Sequence, residues 1–205
     1  MSRASAQHHE PAEGQLPPSV RVLPGFLAAP EAARLLRRCE AELSFAAHPV
    51  RVFGRTTTTP RQTAFLAPAG VRYRYSGHVH EGAGLPAWLE ALRADVSEQA
   101  SSRFVSVLVT RYRSGRDRVG WHADDERELG PDPVIAVLSL GSARDLCFRP
   151  ATAAARDRWR VPLASGDLLI MESGAQRDLR HALPPRSGAG VRVSLSFRPA
   201  AGEPA

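Results

Sequence analysis

The chain of 205 residues is 43% hydrophobic and 23% charged, a balance typical of a single globular domain and unlike a disordered, collagen-like or coiled-coil chain. It has no apolar run near the roughly 18 residues of a membrane helix, no apolar block near its start and only two cysteines, so we expect a cytoplasmic bacterial protein with no membrane partner. The formal charge is +6, and all 27 basic residues are arginine, which either a GC-rich genome or a phosphate-rich partner would explain.

The first part of the chain predicts a loose segment followed by two helices. Residues 1–19 are rich in Pro, Ala, Ser, Gln and Glu and are predicted to be a disordered lead. Residues 30–43 and 86–100 carry apolar side chains at helical spacing. The residues that form these two apolar faces are Leu35, Leu36, Cys39 and Leu43 in the first helix, and Leu89, Leu92 and Val96 in the second.

Beyond residue 100 the pattern changes to short strands separated by turn signals. The predicted strands are 104–112, 134–140, 145–149, 160–163, 167–172 and 191–198. Early helices followed by many short strands predict an α+β fold whose second half is a β-sandwich or barrel.

His122 and Asp124 are the first candidates for chemistry. Residues two apart in an extended segment point to the same side, so this pair can bind one ion. A β-sandwich could bring His181 beside them, and two imidazoles with one carboxylate suit non-haem Fe(II), whereas zinc favours a closed tetrahedral set. Taken singly, each motif also has a plainer interpretation: a solvated turn for the pair, and a surface histidine in a polar loop for His181.

Residues 192–198 alternate between polar and apolar side chains. In a strand, Arg192, Ser194, Ser196 and Arg198 share one side, and the apolar residues share the other. The segment is therefore either an edge strand with a solvated face or a strand that lines a cavity for a dicarboxylate, because an arginine fork matches the two oxygens of a carboxylate.

With these motifs in this order, the sequence resembles the iron- and 2-oxoglutarate-dependent dioxygenases, and among them the AlkB-type nucleic-acid demethylases. The stretches that carry the resemblance are 52–77, 110–112, 120–126, 165–171 and 192–198. The resemblance implies one compact domain, with a double-stranded β-helix (jelly-roll) core at 101–199. It implies N-terminal helices and a β-hairpin nucleotide-recognition lid at 20–100.

The resemblance also implies the site residues. His122, Asp124 and His181 are expected to hold Fe(II), with O2 and 2-oxoglutarate as cosubstrates. Arg192 is expected to pair with the distal carboxylate of 2-oxoglutarate, helped by Tyr112.

Three further residues are expected around the cosubstrate. Arg198 is expected near the carboxylate that chelates iron. Thr110 and Ser194 stand where the family often has Asn; both can still hydrogen-bond to the cosubstrate, with shorter side chains and fewer donors, and the sequence leaves their effect on its affinity open.

Residues 46–80 combine arginines and aromatic rings without any Asp or Glu, a pattern that suits phosphates and stacked bases. The alternative is a basic hairpin whose aromatics belong to the core, which we favour for Phe65. Phe53 stands between arginines and resembles the finger of the duplex-acting AlkB members. It is expected to fill the gap left by an extruded base while Arg55 and Arg61 grip the backbone.

The segment 72–77 resembles the family's base lid. Tyr75 is expected to stack on the flipped base opposite the ring of His122, and Tyr73 to offer its hydroxyl. Asp125 and Glu126 either accept hydrogen bonds from a base amino group or are solvated acids beside a cation.

The implied activity is oxidative demethylation of 1-methyladenine and 3-methylcytosine in DNA, with release of formaldehyde, succinate and CO2. The DNA is expected to be double-stranded with a flipped base, and the enzyme to be a monomer. The alternatives are a related oxygenase acting on RNA, single-stranded DNA or protein, a catalytically silent nucleic-acid-binding module, and a zinc-holding structural cupin.

Overall fold

The computed structural model describes residues 15–52, 55–75, 78–152 and 158–199. The elements of this part of the chain, in order, are β1 (Val20–Leu23), α1 (Ala29–Glu42), β2 (Pro49–Val52), β3 (Arg55–Thr58), β4 (Gln62–Leu66), β5 (Arg72–Tyr75), β6 (His78–Glu81), α2 (Ala87–Ala100), β7 (Ser106–Tyr112), β8 (Val119–His122), a 3-10 turn (Arg127–Leu129), β9 (Ile135–Gly141), β10 (Arg144–Pro150), β11 (Trp159–Leu163), β12 (Leu168–Met171), α3 (Ala175–Asp178), β13 (Leu179–Leu183) and β14 (Arg192–Arg198).

Two antiparallel sheets face each other. The larger has the strand order β1-β12-β9-β14-β7-β4, and the smaller has the order β11-β10-β13-β8. Apolar side chains from both sheets form one cluster between them, which includes Leu108, Ile135, Phe148, Leu163 and Leu179. The predicted α+β fold with a jelly-roll core is confirmed.

The two long helices pack on the outer face of the larger sheet. Leu89 and Val96 of α2 and Cys39 of α1 are buried in one cluster with Leu138 and Phe197 of the sheet. The faces predicted from helical spacing are therefore the faces that pack, because apolar surface leaves water most completely there. No helix in the described residues is long and apolar enough to span a membrane.

Strand β14 lies inside the larger sheet, between β7 and β9. The interpretation of this segment as a solvated edge strand is therefore wrong. Its apolar residues Val193, Leu195 and Phe197 are buried in the cluster on the helix side. Its arginines and Ser194 are also buried, and they line a cavity on the side that faces the smaller sheet.

The predicted helices and strands agree with the structure to within two residues, the largest difference being the start of β7 at Ser106 instead of residue 104. Strands β1, β4, β8 and β13 were not predicted, and the region of β2, β3, β5 and β6 was predicted only as a hairpin lid without strand bounds. Strand β13 carries His181, which is buried, so the interpretation of His181 as a surface residue of a polar loop is wrong. The inward position of an imidazole interrupts the apolar alternation by which a strand is recognised.

The block 20–100 adds strands to the larger sheet and also forms two separate hairpins, in the region where the lid was predicted. Strands β1 and β4 join the larger sheet through β12 and β7. Strands β2 and β3 form one hairpin, and β5 and β6 form another. Phe53 and residues 1–14 of the predicted lead lie outside the described residues, whereas Ser19 is placed, and its carbonyl accepts a hydrogen bond from the Glu172 N–H.

Candidate active site

The three candidate metal ligands meet on the smaller sheet. His122 ends β8 and lies directly opposite His181 on β13, and Asp124 follows two residues later. One ligand atom from each of the three lies within 4.8 Å of the others, and His181 Nε2 is 3.7 Å from Asp124 Oδ2. Sequence-distant residues are brought together because β8 and β13 are hydrogen-bonded neighbours.

Each imidazole leaves one ring nitrogen for a metal ion. His122 Nδ1 lies 2.9 Å from the Gly120 carbonyl, which can only accept a hydrogen bond, so Nδ1 donates and Nε2 is the candidate ligand atom. Burial and the neighbouring His122 lower the pKa of His181 to about 3, although Asp124 opposes this shift. His181 is therefore neutral at physiological pH.

Asp124 is held from two sides. Arg198 Nη2 donates to its Oδ1 at 2.5 Å, and its backbone N–H donates to Gln176 Oε1 at 2.9 Å. Burial raises the pKa of Asp124, but opposing positive charge, that of Arg198 foremost, outweighs it, so the pKa is lowered and the carboxylate stays ionised. The other oxygen, Oδ2, faces His181.

The donor set fits a single Fe(II) ion. Two imidazole nitrogens and one carboxylate oxygen lie close together, a donor set that leaves positions for further ligands, as in non-haem iron oxygenases. In the described parts of the chain, no other group of three or more histidine, cysteine or acidic residues is close enough together to hold a metal ion. The sequence pattern and the geometry therefore point to the same three residues.

A cavity of about 50 Å³ extends from the three ligands to Arg192. Arg192 is buried, donates through Nε to Ser139 Oγ at 3.1 Å, and lies over the ring of Tyr112 at 5.4 Å. Burial lowers the pKa of Arg192 to about 10, so its guanidinium is still charged at neutral pH. This end of the cavity is suited to an anion.

Thr110 and Ser194 are paired across β7 and β14, and both line the cavity. Arg198 lines the cavity as well, between Asp124 and Tyr73. The residues expected around the cosubstrate are thus on one wall of one cavity, because alternate residues of neighbouring strands face the same side.

Of the residues expected to contact the substrate, Arg61 lines the cavity and Tyr73 is buried beside it in contact with other side chains. Arg61 lines the cavity beside the metal ligands. Tyr73 is buried and stacked on Phe65, and its hydroxyl accepts a hydrogen bond from Arg198 and donates one to Glu126. Its hydroxyl thus bridges two protein side chains, a contact that the sequence did not predict.

Glu126 is half-buried and Asp125 is exposed. Burial raises the pKa of Glu126, and the negative Asp124 adds to this, while Arg198 opposes it. Tyr75 and Arg55 lie on β5 and β3.

Sequence reasoning missed three buried polar residues around the site: Gln176, Ser139 and Arg144. Gln176 holds Asp124 from α3, and Ser139 holds Arg192 from β9. The guanidinium carbon of Arg144 lies over the ring of Tyr112, 5.8 Å from the ring centroid. Arg144 occupies alternate positions of β10 with the buried Leu146 and Phe148, and this shared face was the one signal that could have indicated a buried cation.

Comparison with known proteins identifies the family. The sequence profile described as 2OG-Fe(II) oxygenase superfamily matches residues 19–198. This chain belongs to that superfamily.

Within the superfamily, the chain is similar to AlkB-type proteins. The DNA oxidative demethylase ALKBH2 of Mus musculus is 36% identical over 178 residues, which cover 82% of this chain and 74% of that protein. The alpha-ketoglutarate-dependent dioxygenase alkB homolog 3 of Homo sapiens is 32% identical over 190 residues, which cover 87% of this chain and 65% of that protein. The solved structure of OsALKBH1 has a TM-score of 0.65 at 18% identity, covers 90% of this chain and 99% of its own, and supports the fold alone.

The predicted AlkB-type dioxygenase is therefore confirmed, and so are Fe(II), 2-oxoglutarate and O2 as the cofactor and cosubstrates of this superfamily member. The interpretations as a silent binding module or a zinc-holding cupin do not agree with this assignment. When bound, the iron supplies oxidation of a substrate by O2, coupled to decarboxylation of 2-oxoglutarate. The residues of the chain supply the ligands, the charge and the shape of the site.

Proposed function

We propose that this AlkB-type dioxygenase demethylates bases in DNA, with 1-methyladenine and 3-methylcytosine as substrates. One observation carries the proposal: Arg61, from the basic and aromatic block 46–80, lines the same cavity as the metal ligands. A side chain suited to phosphate or base contact thus borders the site of oxidation. The mouse relative that is 36% identical is a DNA oxidative demethylase, which supports the same substrate class.

In this proposal His122, Asp124 and His181 hold Fe(II). Arg192 pairs with the distal carboxylate of 2-oxoglutarate, and the Tyr112 hydroxyl, to which Arg192 is hydrogen-bonded, completes that contact. An arginine is suited to this role because its donors match both carboxylate oxygens and its charge persists when it is buried.

Arg198 has two tasks in the proposal. It fixes Asp124 through Oδ1, which leaves Oδ2 for the metal, and it presents positive charge to the carboxylate of 2-oxoglutarate that chelates iron. Thr110 and Ser194 steady the cosubstrate by hydrogen bonds from the wall of the cavity. Both offer a single hydroxyl, so we propose a weaker hold on 2-oxoglutarate than an amide would give.

The overall reaction balances without any further oxidant. One N-methylated base, one 2-oxoglutarate and one O2 give the unmethylated base, formaldehyde, succinate and CO2. The methylated base is cationic, so loss of the carbon as formaldehyde releases one proton to solvent and returns the neutral base. The ring nitrogen, N1 of adenine or N3 of cytosine, thereby regains the lone pair that accepts a hydrogen bond in the base pair.

The lid brings the base to the metal in this proposal. A methyl group inside a stacked duplex cannot reach a buried site, so the base is flipped out, and methylation that blocks pairing lowers the cost of flipping. Phe53 fills the gap in the stack, and Arg55 and Arg61 bind the backbone. Tyr75 stacks on the flipped base opposite His122.

In this proposal the two acidic residues that follow Asp124 recognise the base by hydrogen bonds. Asp125 is exposed and can accept a hydrogen bond from an exocyclic amino group. Glu126 Oε2 is buried and has no hydrogen-bond partner among the described residues, so it is a second acceptor, and Tyr73 orients the same carboxylate. Both residues accept hydrogen bonds, as an adenine or cytosine amino group requires.

The test is a demethylation assay with Fe(II), 2-oxoglutarate and oligonucleotides that carry one methylated base. Duplex DNA, single-stranded DNA and RNA of the same sequence are compared, and formaldehyde and succinate are measured. We expect both products in equal amounts, with the duplex preferred. Retention of every methyl group on all three substrates, with no succinate above background, would refute the proposal, and preference for RNA or single strands would refute the duplex assignment.

Two variants separate catalysis from binding. Asp124→Ala should abolish formaldehyde release and keep most DNA affinity, because phosphate contacts carry that affinity. Phe53→Ala should reduce turnover of duplex more than turnover of single strands. Val79→Ala is the matched control, because Val79 is exposed on the neighbouring hairpin. Equal losses on both substrates in Phe53→Ala would contradict a wedge.

A further inference from the structure

Arg144 is a buried cation beside the cavity that the proposed roles do not use. It lies on β10, is completely buried, and its guanidinium is 5.8 Å from the centroid of the Tyr112 ring. Its Nη2 donates to the carbonyls of Asp117 at 2.9 Å and Pro184 at 2.6 Å, and its Nη1 is 3.5 Å from the Ser114 carbonyl. Its Nε is buried and has no hydrogen-bond partner in the described part of the chain.

These contacts do not offset the free energy that is lost when the charge of Arg144 is removed from water. Its hydrogen-bond partners are neutral carbonyls, and the carboxylate of Asp117 is already bound by Arg113 at 2.8 and 2.9 Å. A buried charge without a carboxylate partner costs more than an apolar side chain of similar size. Burial accordingly lowers the pKa of Arg144. Stability alone therefore does not account for an arginine at this position.

Arg144 and Arg192 flank one tyrosine. Their guanidinium carbons lie 5.8 and 5.4 Å from the centroid of the Tyr112 ring. Tyr112 and Arg192 line the cavity, whereas Arg144 does not. Among the described residues, no carboxylate forms an ion pair with either guanidinium. This end of the cavity therefore carries two positive charges that a bound anion would neutralise.

We propose that Arg144 is a positioning residue for 2-oxoglutarate. It holds Tyr112 from behind, ties the 114–117 turn to Pro184, and adds a second positive charge to that of Arg192. The pocket thereby selects a 2-oxo acid that has a distal carboxylate. The inference rests on the proposed orientation of the cosubstrate, in which Arg192 binds that carboxylate, and it is independent of the nucleic-acid substrate.

The test compares two ligands that differ only at the distal end. 2-Oxoglutarate has a carboxylate where 2-oxopentanoate has a methyl group, and both present the same chelating 2-oxo acid. Binding of each to the protein loaded with Mn(II), without O2, is measured by calorimetry. Arg144→Gln should weaken binding of 2-oxoglutarate roughly tenfold, as expected for one charge acting over about 10 Å at an effective dielectric constant of about 20. Binding of 2-oxopentanoate should change by less than about twofold.

Steady-state kinetics give a second readout. In Arg144→Gln the KM for 2-oxoglutarate should rise roughly tenfold, while kcat at saturating 2-oxoglutarate stays within about twofold. Arg186→Gln is the matched control: Arg186 also binds a carbonyl of this region but is half-exposed and pairs with Asp145, so neither ligand should bind differently. Equal weakening of both ligands in Arg144→Gln would mean a purely structural role and would overturn the inference.

Two further variants keep the outcome unambiguous. Arg144→Lys keeps the charge, so its preference for 2-oxoglutarate over 2-oxopentanoate should stay within about threefold of the wild-type preference. Loss of this preference in Arg144→Lys would overturn the inference even if Arg144→Gln does not fold. Arg192→Gln should abolish the preference. If Arg192→Gln keeps the preference, the proposed orientation of the cosubstrate is wrong. If Arg192→Gln loses the preference but Arg144→Gln keeps it, only the proposed role of Arg144 is wrong.

Discussion

The ion pair between Arg198 and Asp124 predicts a large energetic coupling in the metal-free protein. Both side chains are almost fully buried, at 3% and 4% exposure, and Arg198 Nη2 is 2.5 Å from Asp124 Oδ1. Arg198→Met leaves the carboxylate buried without its cation, and removal of one partner of a buried pair costs about 3–5 kcal/mol. Asp124→Asn leaves the guanidinium in the same situation and is expected to cost a similar amount.

The double variant Arg198→Met/Asp124→Asn buries neither charge. Its cost should therefore be smaller than the sum of the two single costs, by about 2–3 kcal/mol, which lies at the upper end of coupling energies between contacting residues. The free energy of unfolding is measured by urea denaturation of all four proteins in the presence of a chelator. Arg160→Met, at an exposed position on β11, is the control and should stay within about 0.5 kcal/mol of the wild type.

Divalent metal extends the same test. An ion bound at Asp124 supplies the missing positive charge, and a ligand at 100 times its Kd stabilises the folded state by about 2.7 kcal/mol. Mn(II) should therefore restore part of the stability lost in Arg198→Met, and it should not do so in Asp124→Asn. Strictly additive costs in the double variant would refute the argument that Arg198 stabilises the charge of Asp124.

Three further outcomes follow from other residues. Asp117→Asn should lower the free energy of unfolding by about 1–2 kcal/mol at pH 7. Burial raises the pKa of the Asp117 carboxyl, but its hydrogen bonds with Arg113 lower that pKa by more. The folded-state pKa therefore lies below the unfolded value of about 3.9. The stability that the ionised carboxylate contributes is present above that unfolded value and disappears as the pH falls through the folded-state pKa. Urea denaturation at several pH values should therefore show that the difference in unfolding free energy between wild type and variant shrinks on acidification. A difference that grows on acidification would contradict the reasoning. Gly115→Ala should prevent folding, because its Cβ would lie 1.8 Å from the backbone carbonyl oxygen of Arg186, and a cooperative thermal transition like that of the wild type would count against this contact. Burial raises the pKa of Cys39 to about 12, so iodoacetamide at pH 8 should label its thiol only after unfolding, and fast labelling of the native protein would disprove its burial.

The sequence predicted the elements whose pattern repeats along the chain. The alternation in 192–198 predicted both faces of β14, and helical spacing predicted the buried faces of α1 and α2. These predictions succeeded because periodicity and burial have the same physical cause, the removal of apolar surface from water.

The metal ligands were readable for a different reason. His122 and Asp124 are close in sequence, and the recognisable motifs around them supplied His181 as the third residue. The spatial relation came from the pairing of β8 with β13, which includes an irregularity between His181 and Leu183. No local pattern encodes that register, because it depends on two short strands that meet only in the folded sheet.

The supporting residues could not be predicted. Gln176, Ser139 and Arg144 are polar residues whose function depends on what lies opposite them in the fold, namely Asp124 and Arg192 or Tyr112. A single glutamine or serine in a sequence carries no signal of its partner. Burial of polar groups that satisfy each other across the sheet is a tertiary property.

The polar side of β14 has a consequence for laboratory evolution. Arg192, Ser194 and Arg198 occupy interior positions in the middle of the larger sheet, where aliphatic side chains would fill the space at lower energetic cost. A library screened only for heat resistance should therefore accumulate apolar replacements on this strand and yield robust but inactive descendants. Thermostable variants that remain active should instead carry their changes on the helix side of the sheet, far from the cavity.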